Sequence, residues 1–345
     1  MLILGIESSC DETAAAVVED GRRVHSNVIA SQLDVHQLFG GVVPEIASRK
    51  HLEFISPVVA QAMQEAKVAF SELEAVAVTY GPGLVGALLV GLSAAKGLAY
   101  SLGIPLIGVN HIRGHLYAGF LQFPDLEPPL VVLIASGGHT TLAYLENHGS
   151  IKILGRSRDD AAGEALDKVA RALGLGYPGG PQIESLARDG DPHAFDFPRA
   201  WLGEGSLDFS FSGLKTAVIR QLMSLPKTEK RLADLAASFQ EAVFEVLVTK
   251  SIRAAQQYQA KTILVAGGVA SNQALRQKLV AEGGKQGIQV LAPDPIYCTD
   301  NAAMIACAGY YQLLAGDQAP LNLNAVPNLD AASGFCGQLP GDGCG

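Results

Sequence analysis

The sequence has few cysteines and no spacing that would pair them, which argues against a disulfide-stabilised secreted protein. None of its cysteines forms a C-x-x-C pair, and an odd number favours reduced thiols in a cytosol. The five are Cys10, Cys298, Cys307, Cys336 and Cys344. Residues 1–7 are too short an apolar run for a signal peptide and carry no basic flank. We therefore expect a cytoplasmic protein.

Charged residues are also scarce, at 17% against 48% hydrophobic, so a chain of 345 residues predicts a large buried interior. Lys and Arg number 25 against 34 Asp and Glu, which gives a net charge of −9. This balance argues against a protein that coats nucleic acid by bulk electrostatics. A long uninterrupted apolar run is missing too, because Lys96, several glycines and Pro105 interrupt residues 83–109. A buried helix followed by a buried strand is expected there, and no membrane.

What the sequence does contain is a pattern that occurs twice. Residues 2–7 and 13–18 predict two strands joined by a polar turn, and residues 130–135 and 141–145 repeat this around a glycine-rich turn. A proline-rich linker at residues 123–129 separates the two occurrences. The repetition predicts an α/β fold built from a duplicated unit, with both turns facing a shared cleft.

Apolar spacing predicts the remaining elements of each half. The first half has a strand, a helix, a strand, a buried helix and a strand, at residues 24–31, 44–67, 75–79, 84–101 and 105–109. The second half has two helices, two strands and a last helix, at residues 159–173, 232–257, 262–266, 289–292 and 301–314. Residues 174–181 are rich in glycine and proline and predict a loop. Residues 185–230, which hold the only tryptophan, Trp201, look like an insertion. Its basic residues are expected to lie on a solvated face rather than to contact RNA; they are Arg188, Arg199, Lys215 and Arg220.

The most informative short motif is a pair of histidines, His111 and His115, placed directly after an apolar strand. If the segment is helical, a spacing of four puts both imidazoles on one face, close enough to share a metal ion. Two histidines four apart are also common by chance. The segment is not the zincin motif of metallopeptidases, because Ile112 stands where that motif needs a glutamate base.

Asp300 is the candidate third ligand, since an oxygen beside two imidazoles suits a divalent metal. In the duplicated arrangement it lies across the cleft from the histidine pair. Asp300 is also placed to serve only as the N-cap of the helix at residues 301–314.

Three turns are candidates for phosphate or nucleotide contacts. The turn at residues 136–140 is the strongest, because Gly137 and Gly138 let the backbone approach an anion. The polar turn at residues 8–12 fits a phosphate site and an ordinary hairpin equally well. Gly267 and Gly268 follow a strand and open a helix, which is weak evidence alone.

Taken together, these stretches resemble the bacterial tRNA N6-adenosine threonylcarbamoyltransferase (TsaD) family, from about residue 3 to about residue 325. Many long motifs in the right order make the resemblance specific. They are GIESSCDET (5–13), GGVVPEIASRKH (40–51), YGPGLVGALLVG (80–91), HIRGH (111–115), SGGHT (136–140), DDAAGEALDKVAR (159–171), YPGGP (177–181), FSFSGLKT (209–216), GGVASN (267–272) and TDNAAMIA (299–306).

The resemblance implies a two-lobed fold of the actin, Hsp70 and sugar-kinase (ASKHA) type. The expected lobes are residues 1–128 and 129–328, the second with an insertion at about 175–230 and a last helix free to pack on the first lobe. A surface or disordered tail is expected at 329–345. The implied reaction moves the threonylcarbamoyl group of L-threonylcarbamoyladenylate to N6 of adenosine 37 in tRNAs that read ANN codons, with release of AMP.

The resemblance also implies roles for single residues. His111, His115 and Asp300 are similar to the ligands of one divalent metal ion per subunit, Fe²⁺ or Zn²⁺, and Glu12 to a residue near the reacting centre. The implied contacts to the adenylate are Ile134, Ala135, Ser136, Gly137, Gly138, Asp167, Gly180, Glu184 and Asn272. At position 184 family members often have Asp, whereas this chain has Glu184. This is the one departure from the family pattern, and it concerns an expected contact to the ribose.

Implied partners are tRNA, an inactive paralogue (TsaB) that binds the N-terminal lobe, and a P-loop ATPase (TsaE). Two other classes remain as alternatives. A metallopeptidase would account for the histidine pair, and an ATP-binding chaperone-like module would account for the fold. Loss of the threonylcarbamoyl modification from tRNA on depletion distinguishes the transferase from both.

Overall fold

The structure is a computed structural model that describes residues 1–224 and 228–330. The predicted tail at 329–345 therefore lies mostly outside the described residues. By their internal contacts the described residues form two compact units. Unit 1 comprises Met1–Leu126 and residues 300–330, and unit 2 comprises Glu127–Thr299.

The chain has ten strands in the part that the structure describes, five in each unit. In unit 1 they are β1 (Leu2–Glu7), β2 (Glu12–Glu19), β3 (Arg23–Ser31), β4 (Ala75–Gly81) and β5 (Leu106–Asn110). In unit 2 they are β6 (Leu130–Ala135), β7 (Thr140–Asn147), β8 (Ser150–Arg156), β9 (Thr262–Ala266) and β10 (Gln289–Leu291).

The two sheets have the same topology, which confirms the predicted duplication. Their strand orders are β3-β2-β1-β4-β5 and β8-β7-β6-β9-β10. In each sheet the first three strands of the unit pair antiparallel and the last two join in parallel. Strand β8 was not predicted, because its residues are only half buried and show no clean alternation.

Helices cover the sheets. Those of unit 1 are α1 (Leu33–Gln37), α2 (Pro44–Ala66), α3 (Val85–Leu102) and α4 (His111–Tyr117), and those of unit 2 are α5 (Ala162–Ala172), α6 (Gly179–Ala187), α7 (Ser212–Ser224), α8 (Glu229–Gln257), α9 (Gln273–Lys285) and α10 (Pro295–Cys298). The last helix, α11 (Ala302–Leu314), belongs to unit 1.

Helix α11 packs on the sheet of unit 1, so the second unit does not run continuously through residues 129–328. Glycines make the close approach possible. A Cβ on Gly5 of β1 would lie 2.2 Å from the carbonyl oxygen of Ala302, and one on Gly309 would lie 2.5 Å from Cβ of Ala77. By its contacts the last helix therefore groups with unit 1, in place of the expected continuous second lobe.

The glycine-rich segment at residues 174–181 was wrongly predicted to be a loop throughout, since α6 begins at Gly179. The carboxylate of Asp167, twelve residues earlier, accepts a hydrogen bond from the backbone N–H of Gly179 at 2.7 Å. This contact satisfies a free N–H group of the first turn, and local composition gives no sign of it.

Helix α3 is long and apolar enough to cross a membrane by length and composition, and only a third of it is buried in the structure, so the predicted buried helix is buried on one side only. Such a helix is weak evidence for a span, because core helices pass the same test. Gly86 and Gly91 lie in close contacts, as predicted. A Cβ on either would come within 2.3 Å of a serine oxygen, of Ser48 or of Ser8.

Candidate functional site

The two histidines lie at the carboxyl end of β5, where the chain turns into the short helix α4. Asn110 caps that helix, since its side chain accepts a hydrogen bond from the backbone N–H of Ile112 at 2.9 Å. The rings of His111 and His115 are both buried and meet edge to face, with centroids 4.8 Å apart. The predicted spacing therefore does put both imidazoles on one face of a helix.

Asp300 lies beside both imidazoles. Its Oδ1 is 3.2 Å from Nε2 of His115 and 3.5 Å from Nε2 of His111. One ligand atom from each of the three residues lies within 4.8 Å of the others. The structure thus brings together the predicted metal ligands, all within unit 1 rather than across a cleft.

Asp300 is not the cap of α11. The cap is Asn301, whose side chain accepts a hydrogen bond from the backbone N–H of Met304 at 3.0 Å. The alternative in which Asp300 is only a helix cap is therefore wrong, and its carboxylate is left to face the histidines.

Glu7, at the end of β1, was missed by the sequence reasoning. Its side chain is fully buried, and its Oε2 lies 3.0 Å from Nδ1 of His111. The same carboxylate accepts hydrogen bonds from the hydroxyl of Thr79, at 2.6 Å, and from the backbone N–H of Ser9. The only sign in the sequence is an acid ending an otherwise apolar strand.

The buried charges of this cluster shift one another strongly. Burial alone would lower the pKa of His111, but Asp300 and Glu7 outweigh it and hold that pKa well above its ordinary value. Burial opposes ionisation of Asp300, but His111 and His115 outweigh it and hold the pKa of Asp300 well below its usual range. The cluster therefore favours two carboxylates balanced by a positive charge.

Glu12 begins β2 in the same unit, next to the turn at Ser8–Asp11. Burial, followed by the negative charges of Asp300 and Asp11, raises the pKa of Glu12 to about 10. The contributions of Asp300 and Asp11 show that negative charges lie near Glu12. In the described residues no lysine or arginine pairs with Glu7, Glu12 or Asp300.

These observations fit a divalent cation. Two imidazole nitrogens and a carboxylate oxygen are common ligands for iron and zinc. A cation would replace the positive charge that His111 otherwise carries, and it would offset the surplus of acid. The turn beside it is supported by His51, which contacts the carbonyl oxygen of Cys10 at 3.0 Å and the hydroxyl of Thr13 at 2.7 Å.

Unit 2 has a different turn in the equivalent position, between β6 and β7. Ser136 closes it, because its backbone N–H donates to the carbonyl of His139 at 2.8 Å and its hydroxyl oxygen accepts from the N–H of His139 at 3.1 Å. Gly137 and Gly138 between them are exposed, and a Cβ on either would meet open space. The fold itself does not demand glycine there, which leaves room for an approaching ligand.

Two other glycines shape this turn from behind. A Cβ on Gly163 of α5 would lie 2.4 Å from the carbonyl oxygen of Ser136, and one on Gly267 would lie 2.4 Å from that of Ala135. The start of α5 and the residue after β9 therefore pack closely against the segment Ile134–Gly138.

The side chains or backbone of the other predicted adenylate contacts lie near the starts of α6 and α9 in unit 2. Asp167 and Gly180 meet at the start of α6, where burial raises the pKa of Asp167 and the N–H groups of Gly179 and Gly180 oppose that shift. Glu184 accepts a hydrogen bond from the N–H of Gln273 at 2.9 Å, and Asn272 caps α9.

Next to these residues unit 2 has a cavity of about 350 Å³ between α6, α8 and α9. Its lining includes Glu184, Arg188, Gln240, Phe244 and Gln273. Asn272 donates to the side-chain oxygen of Gln240 at 3.0 Å, which connects the cap of α9 to the wall of the cavity.

Two of the four bases named for the insertion have acidic partners within unit 2. Lys215 pairs with Asp160, which also binds Lys168 at 2.8 Å, and Arg199 pairs with Glu245 at 2.9 Å. Both side chains are mostly buried in these ion pairs, so for Lys215 and Arg199 the expected solvated face is not what the structure shows.

Comparison with known proteins identifies the family. The model of the family described as TsaD, tRNA N6-adenosine threonylcarbamoyltransferase, matches residues 23–307. The chain belongs to this family. A Moorella thermoacetica protein of that name is 64% identical over 95% of this chain and 96% of its own length. The Clostridium perfringens protein of the same name is 59% identical over 95% and 97%, and that of Symbiobacterium thermophilum is 60% identical over 96% and 98%.

Solved structures agree on the fold. A full-length HypF in its phosphate- and nucleotide-bound form superposes with a TM-score of 0.62 at 13% identity, over 90% of this chain and 55% of that one. Component A of the (R)-2-hydroxyglutaryl-CoA dehydratase of Acidaminococcus fermentans gives 0.53 at 14% identity, over 91% and 99%. The fold is the actin-like ASKHA type, as predicted.

Proposed function

We propose that this protein forms N6-threonylcarbamoyladenosine at adenosine 37 of tRNAs that read ANN codons, using L-threonylcarbamoyladenylate as donor. As a member of its family the chain is a tRNA threonylcarbamoyltransferase. The observation that carries the fuller proposal is the group of His111, His115 and Asp300, brought together from segments nearly two hundred residues apart in a chain that matches the family over almost its whole length.

The reaction replaces one bond by another. Nitrogen N6 of the adenosine attacks the carbamoyl carbon, the bond from that carbon to the phosphate oxygen breaks, AMP leaves with the bonding electrons, and N6 loses a proton. Because the mixed anhydride is already activated, the protein must mainly position the two substrates, stabilise charge on the phosphate and accept that proton.

Unit 1 supplies a site for one divalent metal ion, for which we propose Fe²⁺, with Zn²⁺ as the other candidate. His111, His115 and Asp300 would hold it. When bound, the ion supplies a Lewis acid and a template for the carbamoyl, threonyl or phosphate oxygens. The same residues give no support to the metallopeptidase alternative, since Ile112 offers no base.

Glu12 is the proposed proton acceptor. Burial raises its pKa most and the negative charge of Asp300 raises it further, so positive charge beside Asp300 would make Glu12 easier to ionise. The proton acceptor and the ligand set therefore depend on each other electrostatically.

Unit 2 supplies the proposed adenylate contacts. The exposed N–H groups of Gly137 and Gly138 would take phosphate charge, and the segment from Ile134 to Ser136 would position the phosphate. Asp167, Gly180, Glu184 and Asn272 would contact the nucleoside, next to the cavity at α6 and α9. The chaperone-like alternative shares the fold but gives no reason for the histidine pair.

Partner proposals follow from the family. Exposed apolar side chains of unit 1, Leu52 on α2 and Val85 and Leu89 on α3, support a paralogous subunit (TsaB) docking on that unit. A P-loop ATPase (TsaE) and a cytoplasmic location, where tRNA is found, complete the proposal.

The test is nucleoside analysis of tRNA from cells depleted of the protein, complemented by the wild type or by His111→Ala. The wild type should restore the threonylcarbamoyl modification and the variant should not. If His111→Ala kept both the metal and the full transfer rate, the Lewis-acid role would be wrong. If depletion left the threonylcarbamoyl content of tRNA unchanged, the proposed function would be wrong.

A further inference from the structure

The two candidate ligands His111 and His115 are held in different ways. Nδ1 of His111 has Oε2 of Glu7 at 3.0 Å and the hydroxyl oxygen of Ser9 at 3.1 Å. Nδ1 of His115 is buried, and none of the described residues hydrogen-bonds it. Among the described residues, Nδ1 of His111 therefore has hydrogen-bond partners and Nδ1 of His115 has none.

The contact with Glu7 determines which ring nitrogen of His111 carries the proton when His111 acts as a ligand. An ionised carboxylate only accepts hydrogen bonds, so Nδ1 must present its N–H to Oε2 of Glu7. Nε2 is then the atom with the free lone pair, and it is Nε2 that lies 3.5 Å from Oδ1 of Asp300. The orientation of the ring and the choice of ligand atom follow from a single hydrogen bond.

Glu7 is itself held in place from two other directions. The hydroxyl of Thr79, on the neighbouring strand β4, donates to the same Oε2 at 2.6 Å, and the backbone N–H of Ser9 donates to Oε1. The side chain is fully buried and has no lysine or arginine partner in the part of the chain that the structure describes. Donors on both oxygens lower the cost of burying this carboxylate, and they fix its orientation toward His111.

We infer that Glu7 is a positioning residue for the metal centre, which fixes His111 as an Nε2 ligand through the hydrogen bond to Nδ1. The inference rests on the proposed metal site and adds a residue to it. Carboxylate–histidine–metal contacts of this kind change metal affinity by about 10- to 100-fold when they are removed.

The experiment measures Zn²⁺ affinity of the full chain by competition with a chelator, with Zn²⁺ alone as the probe. Glu7→Leu keeps the volume and removes both acceptor oxygens, and it should weaken Zn²⁺ binding about 10- to 100-fold. Thr79→Val removes one donor to Glu7 without touching His111, and it should give a smaller loss. If Glu7→Leu fails to fold, Thr79→Val and Glu7→Gln carry the test.

A second readout separates positioning from general stability. In the Zn²⁺-loaded wild type, the Nδ1–H proton of His111 should be visible by NMR of ¹⁵N-histidine protein, protected from exchange by Glu7. Glu7→Leu should lose this signal. The matched control is Asp317→Asn, a buried acid of the same unit that binds Gln312 at 2.8 Å, and it should keep wild-type Zn²⁺ affinity and the histidine signal.

Glu7→Leu with Zn²⁺ affinity within about twofold of wild type and an unchanged Nδ1–H signal would overturn the inference. Its failure is distinguishable from failure of the metal site itself. If the wild type and His111→Ala bind Zn²⁺ equally, the site is wrong; if His111→Ala alone loses Zn²⁺, only the role of Glu7 is wrong.

Discussion

The turn between β1 and β2 and the turn between β6 and β7 occupy the same position in two sheets of identical topology, yet they differ in chemistry. The first runs through the buried side chains of Ser8, Ser9 and Asp11 and lies beside an acidic cluster. The second exposes Gly137 and Gly138 and has no carboxylate of its own. The topology is shared, and under the proposed function the side chains of the first turn suit a cation and the backbone of the second suits an anion.

Charge balance shows the same divergence. In unit 2, Asp160 beside the glycine turn is paired with Lys168 and Lys215. In unit 1, the acids near Asp300 have only histidine as a counter-charge among the described residues. Lysine side chains neutralise Asp160 in unit 2, whereas under the proposed function a metal ion would neutralise the acids around Asp300 in unit 1.

The largest effect should come from removing a ligand in unit 1. His111→Ala and Asp300→Ala should lose the bound metal and lower the transfer rate at least about a thousandfold, because several kcal/mol of charge stabilisation are lost. Metal analysis and a tRNA modification assay measure this. Adenylate binding to unit 2 should survive, and its parallel loss would mean that the two units are not chemically separate.

Glu12→Gln should lower the rate about a hundredfold while metal content stays unchanged, because a general base is removed and its shape is kept. Glu19→Gln is the matched control, since Glu19 ends the same strand and is ion-paired at the surface with Arg23 and His25. Full activity of Glu12→Gln would reduce Glu12 to a residue that positions the acceptor.

Gly137→Ala should weaken adenylate binding about tenfold without lowering the melting temperature, because its Cβ enters open space in the free protein and obstructs only the anion. Gly163→Ala sharpens the contrast. Its Cβ would collide with the carbonyl oxygen of Ser136, so it should cost about 1–3 kcal/mol of stability. Calorimetry of the free protein measures the stability effect, and titration with an adenylate analogue measures the binding effect. Destabilisation by Gly137→Ala would contradict the prediction that its Cβ obstructs only the anion.

The smallest effect concerns the neutralised acid of unit 2. Burial raises the pKa of Asp160, but Lys168 and Lys215 outweigh it and lower that pKa. The resulting stability is present above the ordinary pKa of aspartate and is lost as pH falls through the folded value. Asp160→Asn should therefore lower stability by about 1 kcal/mol at neutral pH and by less in acid. Equal losses in thermal unfolding at about pH 7 and about pH 3 would contradict this.

Elements with a clear local signal could be predicted from the sequence. Strands β6 and β9 and the start of α2 at Pro44 match their predicted bounds, because apolar runs and a proline at the first turn are local features. The spacing of His111 and His115 likewise placed them on one helical face, since four residues make about one turn.

What the sequence could not show depends on contacts between distant segments. Asp300 and Asn301 are adjacent and both suit a helix cap, so only the hydrogen bond to Met304 distinguishes them. Glu7 looks like the last residue of an apolar strand until Thr79 and His111 are seen around it. The start of α6 at Gly179 depends on Asp167, which composition does not reveal.

The return of α11 to unit 1 also sets an order of events during synthesis. Residues 1–126 emerge from the ribosome long before Asp300 is synthesised, because about half of the chain lies between them. Until then α11 cannot cover the sheet of unit 1 at Gly5 and Ala77. A product truncated ahead of position 300 would keep both imidazoles and still lack the oxygen between them. Under the proposed function, the metal site could therefore be completed only after residue 300 has been synthesised.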